Sequence, residues 1–535
     1  MTATLYTQSK GGKSSGEQSI HKVYETILSR YVAEIDPEKL AEAAITGMLS
    51  ELDPYSQHIN ENNSHRLDAI TSGEYGGVGI RLGRMDDSLM VISPMDGTPA
   101  FHQGIMAGDR IIMIDSVLTK KMTLKTAADM VRGEKGTLLN LVILRIGHPE
   151  TLSFDLEREL IKVPDVSYSG LLDHRIGFIK LANFSKYSAE ELEKSIRKLD
   201  RTGLNGLVID LRGNPGGLLS AALQSADLFI PKDAALLETR GRLHQANKKY
   251  FARRRPIIDK ELPVAVLIDA GSASASEILA GILQDYDRAV LIGSPTYGKG
   301  LVQTVTQLTE DSRLKLTTAK YYLPSGRLIQ KREIARDVLY EDLLDGQGGE
   351  YFSAGKRSFD AGEGVSPDLA VAAMPMADLE RELWRKRLFF KYALEMHESK
   401  PGLTLPVNLT QADVTDFYGW LQDHDEIPPS RLSRWLVKAD NAIDSTDTIH
   451  KEWTELRTQL EELLTIDAQS EFENNQQQIL NALETELARV IGGNGARISA
   501  SLKRDPVVAK AIKILMTPTE FGSILAGSDP NTPAD

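Results

Sequence analysis

The chain has 535 residues, 26% of them charged and 41% hydrophobic, a balance that suits several globular domains rather than one. A formal net charge of −13 and a pI near 5.4 argue against nucleic acid as a partner. The absence of cysteine excludes thiol catalysis, disulfides and thiolate metal sites together, and no apolar run has the ~20 residues that a membrane-crossing helix needs.

Residues 1–19 are polar, lack the apolar core of a secretion signal and are expected to be disordered. In residues 20–72, Val23, Ile27 and Tyr31 recur at helical spacing, and Pro37 opens a second helix with Ala41, Ile45, Met48 and Leu52 on one stripe. Asp53-Pro54 stops it. This segment reads as packing and self-association, without chemistry.

Residues 73–158 carry Tyr75-Gly76-Gly77-Val78-Gly79-Ile80, then Gly104-Ile105-Met106-Ala107-Gly108-Asp109-Arg110-Ile111, a helical stretch Thr123–Arg132 and a strand Leu139–Arg145. A glycine-rich turn feeding an edge strand offers converging N–H groups to a chain-terminal carboxylate. On these motifs the segment resembles a PDZ domain, and Gly77, Val78, Gly79 and Ile80 are assigned to peptide capture. Arg132 reads either as a relay from bound peptide to the next domain or as a solvated arginine.

In residues 159–376 the pattern from Gly170 to Met376 alternates strand and helix, the α/β signature. Arg175–Leu181 reads as a strand, Ala189–Leu199 as a helix and Leu207–Leu211 as a strand that runs into Arg212-Gly213-Asn214-Pro215-Gly216-Gly217, where glycines let backbone amides face a ligand. Val264–Asp269 is another apolar run of buried-strand length, followed by small residues and the helix-forming Ile278–Leu283. A hydroxyl at such a strand–turn–helix junction is exposed by the turn and lies beside the amides that open the helix, so Ser272, Ser274 and Ser276 are candidates. The strand Ala289–Ile292 then delivers Tyr297-Gly298-Lys299-Gly300. The only histidine between Arg175 and Gln330 is His244, inside a basic, loop-like run, which disfavours a Ser/His/Asp triad. Lysine can replace histidine if burial brings its pKa from about 10.4 to near 7, roughly 4 kcal/mol of bias against the ammonium. Without the serine segment, Lys299 would read as a surface loop lysine.

Ser272-Ala273-Ser274-Ala275-Ser276-Glu277, a helix ending in Gln284-Asp285, and Tyr297-Gly298-Lys299-Gly300-Leu301-Val302-Gln303 together resemble the signature of the C-terminal processing peptidases, also called tail-specific proteases. The resemblance covers about residues 20–375, including Leu52-Asp53-Pro54-Tyr55-Ser56, Ala319–Arg327 and Gly364–Asp368. It implies Ser274 as nucleophile, Lys299 as general base and Gln303 as the residue that orients the lysine. It also implies an oxyanion hole from the amides of Ala275 and of Gly216 or Gly217. Asp285 matches a position discussed as catalytic in the family; on one helix it would sit about 16 Å along the axis from Ser274, so it reads as structural. Glu277, one turn after Ser274, reads as a partner of the helix N-terminus. The expected architecture is α/β multidomain: N-terminal helices, a PDZ domain, a crotonase/ClpP-like α/β protease core and a C-terminal helical extension.

Residues 377–527 form that extension, with Ile479, Leu483, Leu487 and Val490 on one stripe and all four tryptophans, read as core packing or as an interface. Residues 528–535 are expected to be disordered, and Asp342–Gly349 is turn-rich with no function assigned. The ten histidines make no metal-ligand pattern, and the resemblance requires no cofactor. It implies protein substrates with apolar C-termini, self-association through the N-terminal or C-terminal helices, and action in the bacterial periplasm or cell envelope. Two rivals are a catalytically silent PDZ scaffold and acyl-thioester chemistry on the crotonase-like core; both leave the Ser/Lys pair unexplained.

Overall fold

The computed structural model describes residues 15–60, 68, 71–85, 87–309, 312–331, 350–442 and 450–527. The expectations for residues 1–14, 342–349 and 528–535 lie outside the described residues.

The apolar runs Ile176–Leu181, Gly206–Asp210, Val264–Ile268 and Val290–Gly293 lie side by side as parallel strands, with Ile179, Ile209, Val266 and Leu291 in one row across them. Val166–Leu172 adds an antiparallel strand at one edge, and Leu369–Ala370 a short parallel one at the other. Parallel strands covered on both faces need apolar residues at every position, which is why these runs show no alternation. One face packs on helices Ser188–Asp200, Leu219–Ala226 and Ala275–Asp285. The other face, with Ile176, Phe178, Val208, Ala265, Leu267, Val290 and Ile292, packs on Ile498, Leu502, Val507, Val508, Ala511, Ile514, Leu515 and Ile524. The C-terminal helices therefore supply the second cover of the core sheet, a role that their amphipathic stripes alone left undefined.

The long helix Gln476–Leu502 breaks at Gly492 (φ −134°) and Gly493 (φ 70°). Before the break, Ile479, Leu483 and Leu487 join Leu383, Phe389, Tyr392, Phe417 and Phe472 in a separate core. Trp384 and Trp420 pack against this core, the Trp453 indole donates to Asp440 (2.7 Å), and Trp435 is 69% exposed. Trp384 and Trp420 thus meet the expectation of core packing.

The second domain has a sheet of strands Ile80–Met85, Ser88–Pro94, Arg110–Ile114, Leu138–Leu144 and Leu152–Glu157 in that order, closed by helix Leu124–Val131. Strand Ile80–Met85 pairs with Ser88–Pro94 alone, so its other edge is unpaired among the described strands. Strand Glu159–Lys162, expected to open the protease core, instead pairs with Glu74–Gly77 at the entrance to this domain. The back of the domain, at Met85, Met90 and Ile92, packs on Phe390, Leu394 and Val490 of the C-terminal helices.

At the N-terminus the first helix starts at Ser15, earlier than the expected disorder through residue 19 allows, and runs to Arg30. The second, Pro37–Ser50, is capped by Asp36 Oδ1, which accepts from Glu38 N (3.0 Å). Neither helix has a buried residue. The chain then forms strand Gln57–Ile59, which pairs with Arg313–Lys315 at the start of strand Arg313–Tyr322, in a second sheet with Leu301–Gln307 and Ala235–Arg240.

Candidate active site

The strand–turn–helix junction separates the three candidate serines. Ser272 and Ser276 are fully buried, and their hydroxyls donate to Leu211 O and Asn214 O, each at 2.9 Å, stitching this turn to the loop at 211–214. Ser274 is partly exposed and forms a capping box with Glu277 at the helix start. It caps the helix Ala275–Asp285 with φ 55° and ψ −112°, a conformation that a non-glycine residue keeps only when its surroundings impose it.

Glu277 imposes much of it. Its carboxylate is fully buried and accepts from Ser274 N (2.7 Å), Lys299 N (2.9 Å), Gly298 N (2.7 Å) and the Thr296 hydroxyl (2.6 Å). The expected helix-terminus partner thus also ties the serine turn to the lysine loop. Burial pushes the carboxyl up to about 7, against the pull of these donors. Tyr321, buried beneath both segments, donates its hydroxyl to Lys299 O (2.5 Å) and Ser274 O (3.3 Å).

The Lys299 side chain is mostly buried. Burial first, then the charge of Lys315, brings its pKa down to about 8, while Asp53 and Glu277 act in the opposite sense. Its amine lies 4.5 Å from the centre of the Tyr55 ring. Among the described residues it makes no hydrogen bond to Ser274 Oγ or to Gln303. Gln303 follows a register shift in its strand and donates to Thr317 Oγ1 (3.3 Å) instead of to the lysine. Thr317 in turn donates to Asp53 Oδ1 (2.9 Å). The Leu-Asp-Pro-Tyr-Ser turn, read from the sequence as packing without chemistry, therefore borders the lysine. Asp53 and Thr317 are 264 residues apart in the chain, and no local pattern announces their meeting.

The glycine loop comes within contact of the serine: a Cβ on Gly216 would lie 2.9 Å from both Ser274 Cβ and Ala275 N. The Gly216 N–H is already given to Asn214 Oδ1 (2.9 Å). Gly217, at φ 151°, bridges to Phe184 through its neighbours, and a Cβ there would stand 2.1 Å from Phe184 O. Among the described residues the N–H groups of Gly217 and Ala275 have no protein acceptor.

Asp285 sits at the far end of the serine helix, in an ion pair with Arg327 (2.8 Å) in which both side chains are 1% exposed. This is the structural place expected of it. In the PDZ-like domain, Gly77, Val78, Gly79 and Ile80 are all buried; Val78 O accepts from Ala100 N (3.0 Å) and Gly79 O from Met95 N (2.8 Å). The N–H groups of Val78 and Gly79 donate to no described residue. Arg132 lies over the Tyr75 ring at 5.7 Å. Among the described residues no group of three His, Asp or Glu could hold a metal ion.

Sequence profiles agree with this layout. That of Peptidase family S41 matches residues 175–340, that of the PDZ domain 68–144, that of the activating protease CtpB N-terminal domain 2–63, and that described as "Probable PDZ-protease, C-terminal helical domain" 379–515. A carboxy-terminal-processing protease of Bartonella bacilliformis is 38% identical over 64% of this chain and 81% of its own length. The carboxy-terminal processing protease CtpB of Bacillus subtilis is 34% identical over 65% and 71%. Among solved structures, a photosystem II D1 C-terminal processing protease is 27% identical, covering 66% of this chain and 87% of its own, at a TM-score of 0.36. Identity at this level across most of two relatives, in a chain that carries both the S41 and the PDZ segments, makes it a member of the carboxy-terminal processing proteases, PDZ-containing serine peptidases of family S41.

Proposed function

We propose that the chain is an endopeptidase with a Ser274/Lys299 dyad that selects protein substrates by apolar C-terminal tails. The observation that carries the dyad is that Ser274, alone of the three serines, is partly exposed, on a strained turn tied through Glu277 to a loop whose lysine is held near pKa 8.

Catalysis begins when the Lys299 amine turns from the Tyr55 ring to Ser274 Oγ. The neutral amine takes the hydroxyl proton as Oγ bonds to the substrate carbonyl carbon, and returns it to the leaving amine nitrogen as the peptide C–N bond breaks. Water then attacks the acyl-enzyme with Lys299 again accepting the proton, which releases the new carboxylate and restores Ser274. The oxyanion is held by the amides of Ala275 and Gly217, since the Gly216 amide is committed to Asn214. Gln303 acts on the base through Thr317 and the Asp53 turn rather than by touching the amine.

Tail recognition is supported by the unpaired edge of strand Ile80–Met85 beside helix Leu124–Val131, with the unspent amides of Val78 and Gly79 at its head. A peptide would add as a strand there and present its carboxylate to those amides. The domain units are taken as a helical segment to residue 72, the PDZ unit to Lys162, the core to residue 376 and the helical extension to residue 527. Two copies associate through the N-terminal helices, whose groove of Ile20, Val23, Tyr24, Ile27, Ile45 and Met48 is left uncovered. The family relationship also supports a place in the bacterial cell envelope; no helix of the described residues is long and apolar enough to cross a membrane.

Cleavage of an unstructured protein with an apolar tail, measured for the intact chain, Ser274→Ala and Lys299→Ala, tests the dyad; amidating the tail's carboxylate tests its recognition. Activity surviving either alanine, or indifference to amidation, refutes the corresponding part.

A further inference from the structure

The turn that follows the second helix is clamped on both sides. Asp53 Oδ1 accepts from Tyr55 N (2.9 Å), Ser56 N (3.1 Å) and the Thr317 hydroxyl (2.9 Å). The Ser56 hydroxyl donates to Asp53 Oδ2 (2.9 Å) and accepts from Thr317 N (3.2 Å). Immediately after Ser56, Gln57–Ile59 is locked into the strand pairing with Arg313–Lys315. The Tyr55 backbone thus has little freedom, and its ring is delivered to one place, 4.5 Å from the Lys299 amine.

Lys315 from strand Arg313–Tyr322, Asp53 from the turn itself and Glu277 from the serine helix act on the same amine through their charges; Tyr297 neighbours the Tyr55 ring, and Tyr321 bonds the Lys299 carbonyl, not the amine. None of these makes a hydrogen bond to it. The Tyr55 ring forms a wall beside it.

We propose that Tyr55 is a positioning residue for the base: its ring closes the lysine pocket against water and gives the amine a resting place from which it turns to Ser274. This rests on the reading of Lys299 as general base. An aromatic face attracts an ammonium, but it also displaces the water that would solvate the charge far better. Burial is the largest influence on Lys299, and its direction is toward the neutral amine. The ring, at 4.5 Å, takes part in that burial, and through it the N-terminal segment becomes part of the catalytic apparatus.

The test is the pH profile of kcat/KM for the full chain on an unstructured, tailed protein, comparing the natural enzyme with Tyr55→Phe, Tyr55→Ala and Lys299→Ala, with thermal unfolding as a check on folding. Tyr55→Phe keeps the ring and leaves the acid limb in place. Tyr55→Ala hydrates the amine and moves that limb upward, so the loss at pH 7 is at least threefold larger than the loss at pH 10. If Tyr55→Ala does not fold, Tyr55→Gln, which keeps length but not the apolar face, carries the same expectation. A loss that is equal at both pH values, or a phenylalanine variant shifted like alanine, overturns the role of the ring. Activity persisting in Lys299→Ala instead refutes the base assignment on which the inference stands.

Discussion

Replacing Asp285 by asparagine separates two meanings of a carboxylate at the end of the serine helix. Asp285 and Arg327 meet at 2.8 Å with both side chains 1% exposed, Ser325 N donates to the other carboxylate oxygen (2.8 Å), and Phe359 covers the guanidinium at 4.0 Å. An asparagine oxygen can still accept from Ser325, so the change removes charge and little else. Arg327 keeps its bond to Gln284 Oε1 (2.8 Å) but loses the carboxylate that balances it inside the protein. Breaking one side of a buried pair costs about 3–5 kcal/mol. With an m-value of about 3 kcal/mol/M, the urea midpoint falls by about 1 M or more. Below the new unfolding temperature, kcat/KM stays within about threefold, because the lesion lies about 16 Å down the helix from Ser274. The double variant Asp285→Leu/Arg327→Met recovers most of the lost stability. A hundredfold loss of activity with the midpoint unmoved would refute the reasoning and place Asp285 in the chemistry.

Further outcomes follow from the same geometry. The Lys299 amine must be neutral to accept a proton, so log kcat/KM rises with pH up to about 8 and levels above it; Lys315→Gln moves this limb upward and Asp53→Asn moves it downward, and a flat profile between pH 6 and 9 contradicts the assignment. Gly217→Ala drives a Cβ into Phe184 O and displaces the proposed oxyanion amide, lowering kcat about a hundredfold in a folded enzyme; an active Gly217→Ala variant would return the role to Gly216. Truncation after residue 376 strips the face formed by Phe178, Ala265, Leu267 and Ile292, and the fragment collects in the insoluble fraction; a soluble, active fragment would contradict the two-faced core. Ile20→Glu with Val23→Glu lowers the mass measured by light scattering without lowering activity per chain at saturating substrate; an unchanged mass excludes pairing through these helices.

The sequence made legible what is local. Val264–Ile268, the small residues after it and the helix beyond announce a strand, a turn and a helix, and that turn bears Ser274. The Gly-Lys-Gly segment after the next strand was legible for the same reason. What it could not display depends on distant partners. The bulge before Gln303 turns its amide to Thr317, and nothing in the heptapeptide from Tyr297 signals a bulge. Tyr55 reaches Lys299 only because Gln57–Ile59 pairs with a strand far along the chain. The stripe Ile479, Leu483, Leu487 and Val490 says that one helix face is covered, but an apolar stripe does not name its partner, and the cover that Ile498 and Leu502 give the core sheet emerges only in the fold. Glu277 was seen as a helix-end residue; its bonds to Gly298 and Lys299 required the two loops to be adjacent.

The broken helix Gln476–Leu502 has a mechanical consequence. Ahead of Gly492 it presses Val490 against the back of the PDZ sheet; past Gly493 it presses Ile498 and Leu502 against the sheet beneath the serine turn. This strut joins other attachments of the PDZ domain: Phe390 and Leu394 pack on the same sheet, Glu74 pairs with Lys186 and accepts from the Tyr187 hydroxyl, and the chain crosses over at 163–165. The strut carries its own joint, since the two glycines leave helical geometry where the two anchorages meet. How the PDZ domain is braced against the sheet beneath Ser274 thus depends on where two glycines fall in a helix some 200 residues downstream.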